Sequence, residues 1–110
     1  MPKNLLICDL LALYGPLLTE KQSRLLELYY FEDLSLSEIA ENEGGSRQGA
    51  MDVIKRAEKE LLHAEETLHL HRRNISQSEL IEKMRQALNN NDLNKANEIL
   101  TCLETTLEEE

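Results

Sequence analysis

The sequence predicts an all-α protein in which a helix-turn-helix domain is followed by a long helix and a C-terminal helical hairpin. Leucines recur three and four residues apart along almost the whole chain of 110 residues, which is the spacing of one face of an α-helix. Aromatic residues make up 4% of the chain, which has only 4 glycines and 2 prolines. A β-sandwich or barrel needs many more β-branched, aromatic and turn residues, so the composition argues against both.

Turn and capping residues delimit the first two helices. The first covers residues 4–14 and is apolar on most sides, so we expect it to be buried. Gly15 and Pro16 end it, with the glycine in the left-handed conformation and the proline unable to continue the helix. Thr19 and Gln22 have the spacing of a capping box and open the second helix.

A short helix and a long helix follow. Ser35 and Glu38 form a second capping box, which opens a short helix that Gly44 ends. Ser46 is the expected N-cap of the next helix, whose interior has no breaker before about Arg73.

The long helix carries an apolar seam that needs a partner surface. Its residues step alternately by three and four positions: Ile54, Ala57, Leu61, Ala64 and Leu68. Because a small N-terminal domain offers little surface to cover this seam, we expect the chain to form a homodimer.

The C-terminal residues have the pattern of a helical hairpin. A third capping box, Ser76 with Glu79, predicts the start of its first helix, and residues 89–92 have the composition of the connecting loop. The chain would then consist of a helix-turn-helix domain over residues 1–62. Residues 63–110 would hold the extension of the long helix and the hairpin.

The charge of the chain limits its partners. A net charge of −9 disfavours indiscriminate binding to nucleic acid, since neutralising phosphates requires surplus Lys and Arg. No apolar run reaches the roughly 18 residues of a membrane span. Asp9 interrupts the N-terminal apolar run, and no leader cleavage site follows, so we expect a cytoplasmic protein without a membrane partner. Cys8 and Cys102 lie in leucine-rich stretches and are expected to be small buried residues, not a disulfide.

The segment from residue 36 to residue 55 has the pattern of a helix-turn-helix. Ala40 falls where the second helix crosses closely, and Gly44 falls where the turn needs a positive φ angle. Ile39 and Val53 fall on inward positions that would hold the two helices together.

The second helix of this motif is expected to present its first turns to solvent. The residues expected on that side are Arg47, Gln48, Met51, Asp52, Lys55, Arg56 and Lys59. Residues 46–59 hold four basic and two acidic groups, a net charge of +2 inside an acidic chain. Arg47 and Gln48 suit base edges, and the later basic residues suit phosphates. The alternative is an ordinary solvated helix surface, with Lys55 and Glu58 as a local ion pair.

Other kinds of site find little support. The three histidines, His63, His69 and His71, lack the spacing of metal ligands, and no cofactor motif is present. The aromatic run over residues 29–31 has helical spacing and is expected in the core more than as a platform for bases. No phosphate loop or nucleophile motif occurs, so we expect that the protein is not an enzyme.

Five motifs carry a resemblance to a known family. They are LTEKQ, ELYY, DLSLSEIAE, SRQ and IKRAEK, all within residues 17–61. This segment resembles the YlxM-like family of small bacterial helix-turn-helix proteins, and it is similar to the promoter-reading region four of sigma factors. The resemblance implies a regulatory role in the signal recognition particle pathway, because the family's genes lie beside those of the particle's GTPase or its receptor.

The chain departs from the family pattern at the turn. Gly45 stands where relatives usually have a valine, and residues 49–51 read Gly-Ala-Met where relatives usually have Ala-Val-Tyr. Gly45 is expected to remove an apolar plug between the helices. Gly49 is expected to weaken the first turn of the second helix by roughly 1 kcal/mol relative to alanine.

Three hypotheses about function follow. The first is a non-enzymatic regulatory or accessory component of the signal recognition particle pathway, which would bind the particle's protein or RNA through Arg47, Gln48, Met51, Lys55, Arg56 and Lys59. The second is a DNA-binding transcription regulator that uses the same helix. The third is a protein–protein adaptor that uses the acidic C-terminal helices.

Overall fold

A computed structural model describes residues 3–108, and this part of the chain contains six α-helices and no strand. The helices are α1 (Leu6–Tyr14), α2 (Glu20–Tyr30), α3 (Leu36–Glu43), α4 (Arg47–Leu68), α5 (Leu70–Asn89) and α6 (Leu93–Glu108), and a 3-10 turn covers Gly15–Leu17. The all-α prediction is therefore confirmed. No helix in the described residues is long and apolar enough to span a membrane.

The chain divides into two compact units, residues 1–71 and 72–110. In the first unit, α4 packs against α1, α2 and α3. Its inward side chains Ile54, Ala57 and Leu61 are 0–1% exposed. They meet a core contributed by the other three helices: Ile7, Leu10, Leu11, Tyr14, Leu25, Leu26, Tyr29, Leu36 and Ile39.

The predicted seam of α4 is therefore covered by its own unit over most of its length. Ile54, Ala57 and Leu61 are buried there, Ala64 is half-buried, and only Leu68 is half-exposed. The seam therefore gives no reason to expect a dimer, because α1, α2 and α3 of the same chain already pack against it.

Two of the three predicted capping boxes are present. At α2 the Thr19 hydroxyl accepts a hydrogen bond from the Gln22 N–H at 3.1 Å, and the Gln22 side chain accepts one from the Thr19 N–H at 3.0 Å. Ser35 and Glu38 repeat this geometry at α3. The Ser35 hydrogen bonds lower the pKa of the Glu38 carboxyl. Both helices thus start where the local sequence predicts.

The end of α1 differs from the prediction. Gly15 has φ −47° and lies in the right-handed region, not the left-handed one. The chain continues directly into a 3-10 turn, which Pro16 can enter because an early position of a helical turn needs no N–H donor. The Leu18 N–H closes this turn on the Gly15 carbonyl at 2.9 Å.

The long helix also ends earlier than predicted, at Leu68 and not near Arg73. His69 has φ +57°, in the left-handed region, and α5 starts at the next residue. Ser76 is therefore inside α5, and its capping box with Glu79 is wrong as a helix start.

The long helix ends at Leu68 because of hydrogen bonds that involve distant parts of the first unit. The buried Tyr14 hydroxyl donates to a Glu65 carboxylate oxygen at 2.7 Å and accepts from the Leu70 N–H at 3.0 Å. The same Glu65 oxygen accepts from the His71 N–H at 3.0 Å. The backbone N–H groups in the first turn of a helix have no carbonyl partner within that helix, and these hydrogen bonds supply partners for two of them at the start of α5. The expected division at residues 62/63 accordingly lies nine residues before the observed one at 71/72.

The second unit contains the predicted hairpin. Residues 90–92 connect α5 to α6, with Asn91 at φ +58° and the Asp92 carboxylate accepting from the Lys95 N–H at 3.0 Å. The hairpin interior is small: Ala87, Ala96 and Ile99 are buried, with Leu80, Met84 and Leu103 packed beside them.

The remaining expectations about the core are met in part. Cys8 is half-buried but Cys102 is exposed, and both thiols are free. Cys102 is therefore not the small core residue that its leucine-rich surroundings suggested. Tyr29 is buried as expected and Tyr30 is half-buried, whereas Phe31 is 56% exposed at the end of α2.

Replacing Tyr14 by Phe tests the network that ends α4. The Leu70 N–H and the Glu65 carboxylate would each lose a partner, so we expect Tyr14→Phe to lower the free energy of unfolding by about 1–3 kcal/mol. Urea denaturation measures this change. Tyr30→Phe, which removes a half-buried hydroxyl bonded to Glu58 at 2.9 Å, is the control. A loss at Tyr14 no larger than that at Tyr30 would contradict the role assigned to the network.

The ion pair between Arg24 of α2 and Glu43 at the end of α3 gives a prediction about pH. The second guanidinium nitrogen lies 3.1 Å from Glu43 Oε2, and the pair lowers the pKa of the Glu43 carboxyl below its ordinary 4.5. A lowered pKa stabilises the fold above pH 4.5, and this stabilisation disappears as the pH falls through the folded-state pKa. We expect Glu43→Gln to lower the midpoint of thermal unfolding at pH 7. At a pH below the folded-state pKa of Glu43, the variant and the unmodified chain should have the same midpoint. Glu41→Gln, on the same helix, is the control. A deficit independent of pH would count against the ion pair.

Candidate nucleic-acid interface

The turn between α3 and α4 depends on two glycines. Gly44 has φ +78°, as predicted, and Gly45 has φ +115°. Side chains of the L configuration rarely adopt such angles, and a β-branched residue is a clear outlier there. A valine at position 45 would therefore require a different turn from the one in this chain.

Gly49 has a role that its low helix propensity does not reveal. The Ser46 hydroxyl caps α4 by accepting a hydrogen bond from the Gly49 N–H at 2.9 Å. A Cβ atom at position 49 would lie 3.2 Å from that oxygen, closer than an ordinary van der Waals contact. The glycine thus permits a close N-cap, which offsets part of the cost of a glycine in the first turn.

The two helices of the motif pack closely, as the sequence predicts. Ile39 of α3 is fully buried, and Ala40 is 8% exposed where the helices cross. Val53 is only half-buried. A cavity of about 120 Å³ remains beside the turn, and Gly44, Gly45 and Gly49 are among its lining residues. This space agrees with the expected loss of an apolar plug.

The outward side of α4 carries the predicted basic residues. Arg47, Gln48, Asp52, Lys55, Arg56 and Lys59 are all exposed. Met51 is half-buried and packs against the core of the first unit, so it lies at the edge of this surface and not in its middle. We call the surface formed by Arg47, Lys55, Arg56 and Lys59 the basic face.

Of the acidic residues near the basic face, Asp52 and Glu58 accept hydrogen bonds from neutral groups, whereas Glu60 is exposed beside Lys59 and lines the same groove as Arg56. The Gln48 amide donates to Asp52 Oδ1 at 2.9 Å, so these two side chains are engaged with each other. Glu58 accepts a hydrogen bond from the Tyr30 hydroxyl at 2.9 Å and does not form the expected pair with Lys55. Burial, together with this carboxylate, raises the pKa of the Tyr30 hydroxyl.

Among residues 3–108, no ion pair involves the four cations of the basic face, Arg47, Lys55, Arg56 and Lys59. Four positive charges on the exposed side of α4, with a net charge of +2 over residues 46–59, can bind phosphates. The engaged Gln48 amide would have to leave Asp52 before it could read a base edge.

Sequence reasoning missed an open groove beside the basic face. Its volume is about 650 Å³, and its lining residues include Leu17, Arg56, Lys59, His63 and Leu68. Leu17 is 64% exposed and comes from the 3-10 turn after α1. The groove was missed because that turn was expected to be a simple helix end.

The described residues contain no group of three or more His, Cys, Asp or Glu side chains that could hold a metal ion. His69 occupies the left-handed position between α4 and α5, and His71 Nε2 lies 4.0 Å from Asp9 Oδ2. Both histidines therefore take part in the connection between helices.

Comparison with known proteins identifies relatives along nearly the whole chain. A family model described as "Putative helix-turn-helix protein, YlxM / p13 like" (UPF0122) matches residues 1–106. A UPF0122 protein of Clostridium perfringens is 42% identical over 103 residues, which cover 94% of this chain and 91% of the relative. One of Symbiobacterium thermophilum is 39% identical over 97 residues, covering 88% and 91%.

A UPF0122 protein of Clostridium kluyveri is 50% identical over 70 residues, so its match covers 64% of this chain and 63% of the length of that relative. The family's description names a helix-turn-helix protein and no enzymatic activity. The described helices include the α3–turn–α4 motif that this description names. The chain therefore belongs to the YlxM/p13-like family of helix-turn-helix proteins, UPF0122.

Proposed function

We propose that this protein is a non-enzymatic regulatory factor that binds nucleic acid through the basic face of α4, as an accessory component of the signal recognition particle pathway. The observation that supports binding is the set of four exposed cations that form no ion pair within the described residues of an acidic chain. The assignment to the signal recognition particle pathway rests on the family resemblance alone.

The number of cations sets the expected strength of binding. Three or four phosphate contacts give a slope of log K against log salt of about −3 to −4. Binding through so few phosphates is weak at physiological salt, so a regulatory factor of this kind needs either a second contact or a high local concentration of its target.

The polar residues of α4 favour RNA over the reading of a DNA operator. The Gln48 side chain, which could otherwise read a base edge, is engaged with Asp52. Base reading in the major groove needs free bidentate side chains, whereas helical RNA is recognised mainly through its phosphates, hydroxyls and shape. The RNA of the signal recognition particle is therefore our first candidate partner, with the particle's protein as the other one.

A DNA-binding regulator is the second candidate function, and one observation favours it. Arg47 stands exposed in the first turn of α4, the part of a recognition helix that contacts base edges in helix-turn-helix proteins. The third candidate, a protein–protein adaptor, would use the C-terminal hairpin and would not need the basic face.

The double variant Lys55→Gln/Lys59→Gln tests the basic face. Each lysine removed should eliminate one phosphate contact, so we expect the salt slope of binding to signal recognition particle RNA to fall by about 2. Fluorescence anisotropy over a series of salt concentrations measures the slope. Lys83→Gln, an exposed lysine on α5, is the matched control and should leave the slope unchanged. Equal slopes in all three proteins would overturn the assignment of the surface.

The same titration with DNA separates the two nucleic-acid candidates. An operator-reading protein should keep a sequence preference at about 150 mM salt, and Arg47→Ala should reduce that preference by about 1–3 kcal/mol. Our proposal predicts instead that binding to DNA is weak and equal for all sequences. A preference for one DNA sequence that Arg47→Ala abolishes would replace the first candidate by the second.

A further inference from the structure

The C-terminal hairpin carries large apolar side chains that its own interior does not cover. They are Ile75, Ile81 and Leu88 on α5 and Leu93, Leu100 and Leu107 on α6, and they are 46–74% exposed. By contrast, the buried residues of this unit are two alanines and one isoleucine: Ala87, Ala96 and Ile99. The hairpin therefore exposes more large apolar side chains than it buries.

All of these exposed side chains except Ile75 lie on one side of the hairpin. Ile81 and Leu88 each follow an inward-facing residue of α5, and Leu100 follows the inward-facing Ile99 of α6. A step of one residue turns the side chain by the same angle and in the same sense about each helix axis. Because the two helices of a hairpin run antiparallel, equal rotations place both sets of side chains on the same side. We call this surface the hairpin face.

The spacing of the hairpin face is that of a helical bundle. Ile81 and Leu88 are seven residues apart, and Leu93, Leu100 and Leu107 repeat the same interval. Together with the inward residues, each helix has three apolar positions per heptad. A two-helix seam needs only two such positions, whereas three are typical of helices that pack on more than one neighbour.

The size of the face suits a stable interface. The 16 residues of α6 span about 24 Å, and packed helices lie about 8–10 Å apart. Because each helix is also about 10–12 Å across, the two packed helices are together about 20 Å wide, and the hairpin face is on the order of 500 Å² in projection. Two such faces together cover on the order of 1,000 Å², which is about the lower bound for a specific protein–protein interface.

The charges on the face permit a copy of the same face to approach. Arg85 and Glu104 each follow an inward-facing residue, Met84 and Leu103, and so lie on the same side as the leucines. Their charges are opposite in sign, and Arg85 also lies 3.8 Å from Glu82 of its own helix, so these two residues add no net charge to the face. A hairpin with only three buried residues has a small core, so packing against further helices would stabilise it. A second copy of the chain is a partner that is present wherever the protein is made.

We propose that the hairpin face binds the hairpin face of a second copy of this chain, so that two hairpins form a four-helix bundle around a two-fold axis. This dimer does not use the seam of α4, whose Ile54, Ala57 and Leu61 are buried within their own unit. The proposal is independent of what the basic face binds.

Sedimentation velocity of the full chain tests this dimer. We expect a species of about twice 12.7 kDa, and we expect Leu100→Glu to weaken association at least 100-fold by placing a charge in the buried interface. Leu17→Glu makes the same change at a leucine that is 64% exposed in the first unit, and it should remain dimeric. A wild-type chain that is monomeric at about 100 µM would overturn the proposal. So would a dimer that Leu17→Glu dissociates and Leu100→Glu does not.

Cross-linking keeps the proposal testable if Leu100→Glu unfolds the hairpin. The exposed Cys102 lies two residues beyond Leu100, on the opposite side of α6 from the hairpin face. A short bifunctional maleimide should join two copies of Cys8→Ser/Cys102→Ser/Leu100→Cys. It should leave Cys8→Ser, with its natural Cys102, as single chains. The reverse pattern, or equal cross-linking of the two proteins, would contradict the assigned face.

Discussion

The burial of one side of α4 determines the arrangement of the first unit. Ile54, Ala57 and Leu61 are 0–1% exposed against α1, α2 and α3, and fully burying a side chain such as Ile or Leu is worth about 1.5–3 kcal/mol. Because these residues fix the rotation of α4 about its axis, the opposite side of the helix must face solvent. The positions of Lys55 and Lys59 are thus a consequence of core packing, and the motif can present cations without any dedicated support for them.

The net charge of −9 has a different meaning once the partners of individual groups are known. Asp52 accepts from Gln48, and Glu58 accepts from Tyr30, so these two carboxylates are hydrogen-bonded to neutral donors and not to the basic face. Because they keep their negative charge, residues 46–59 present a net charge of +2 to an external anion. An acidic chain can therefore bind phosphate at one small surface while its remaining surface repels nucleic acid, which limits binding to one orientation.

The parts of the fold that depend on near neighbours could be predicted from the sequence. The Thr19 and Ser35 capping boxes and the positive φ of Gly44 involve residues at most three positions apart. The end of α4 could not be predicted, since Tyr14 reaches the Leu70 N–H across 56 residues and no local signal marks His69. The predicted site shows the same contrast. The exposure of the cations follows from helical spacing, whereas the engagement of Gln48 with Asp52 is a choice of side-chain conformation that spacing does not determine.

The central claim is that the unpaired cations of α4, and no other part of the chain, contact nucleic acid. Amide chemical shifts measured by NMR during a titration with signal recognition particle RNA test this claim residue by residue, and they do not depend on a variant that might misfold. The account predicts that the shifted amides cluster within residues 46–59 and that they return to their starting positions as salt is added. Shifts confined to residues 72–108, or no shifts at low salt, would contradict it.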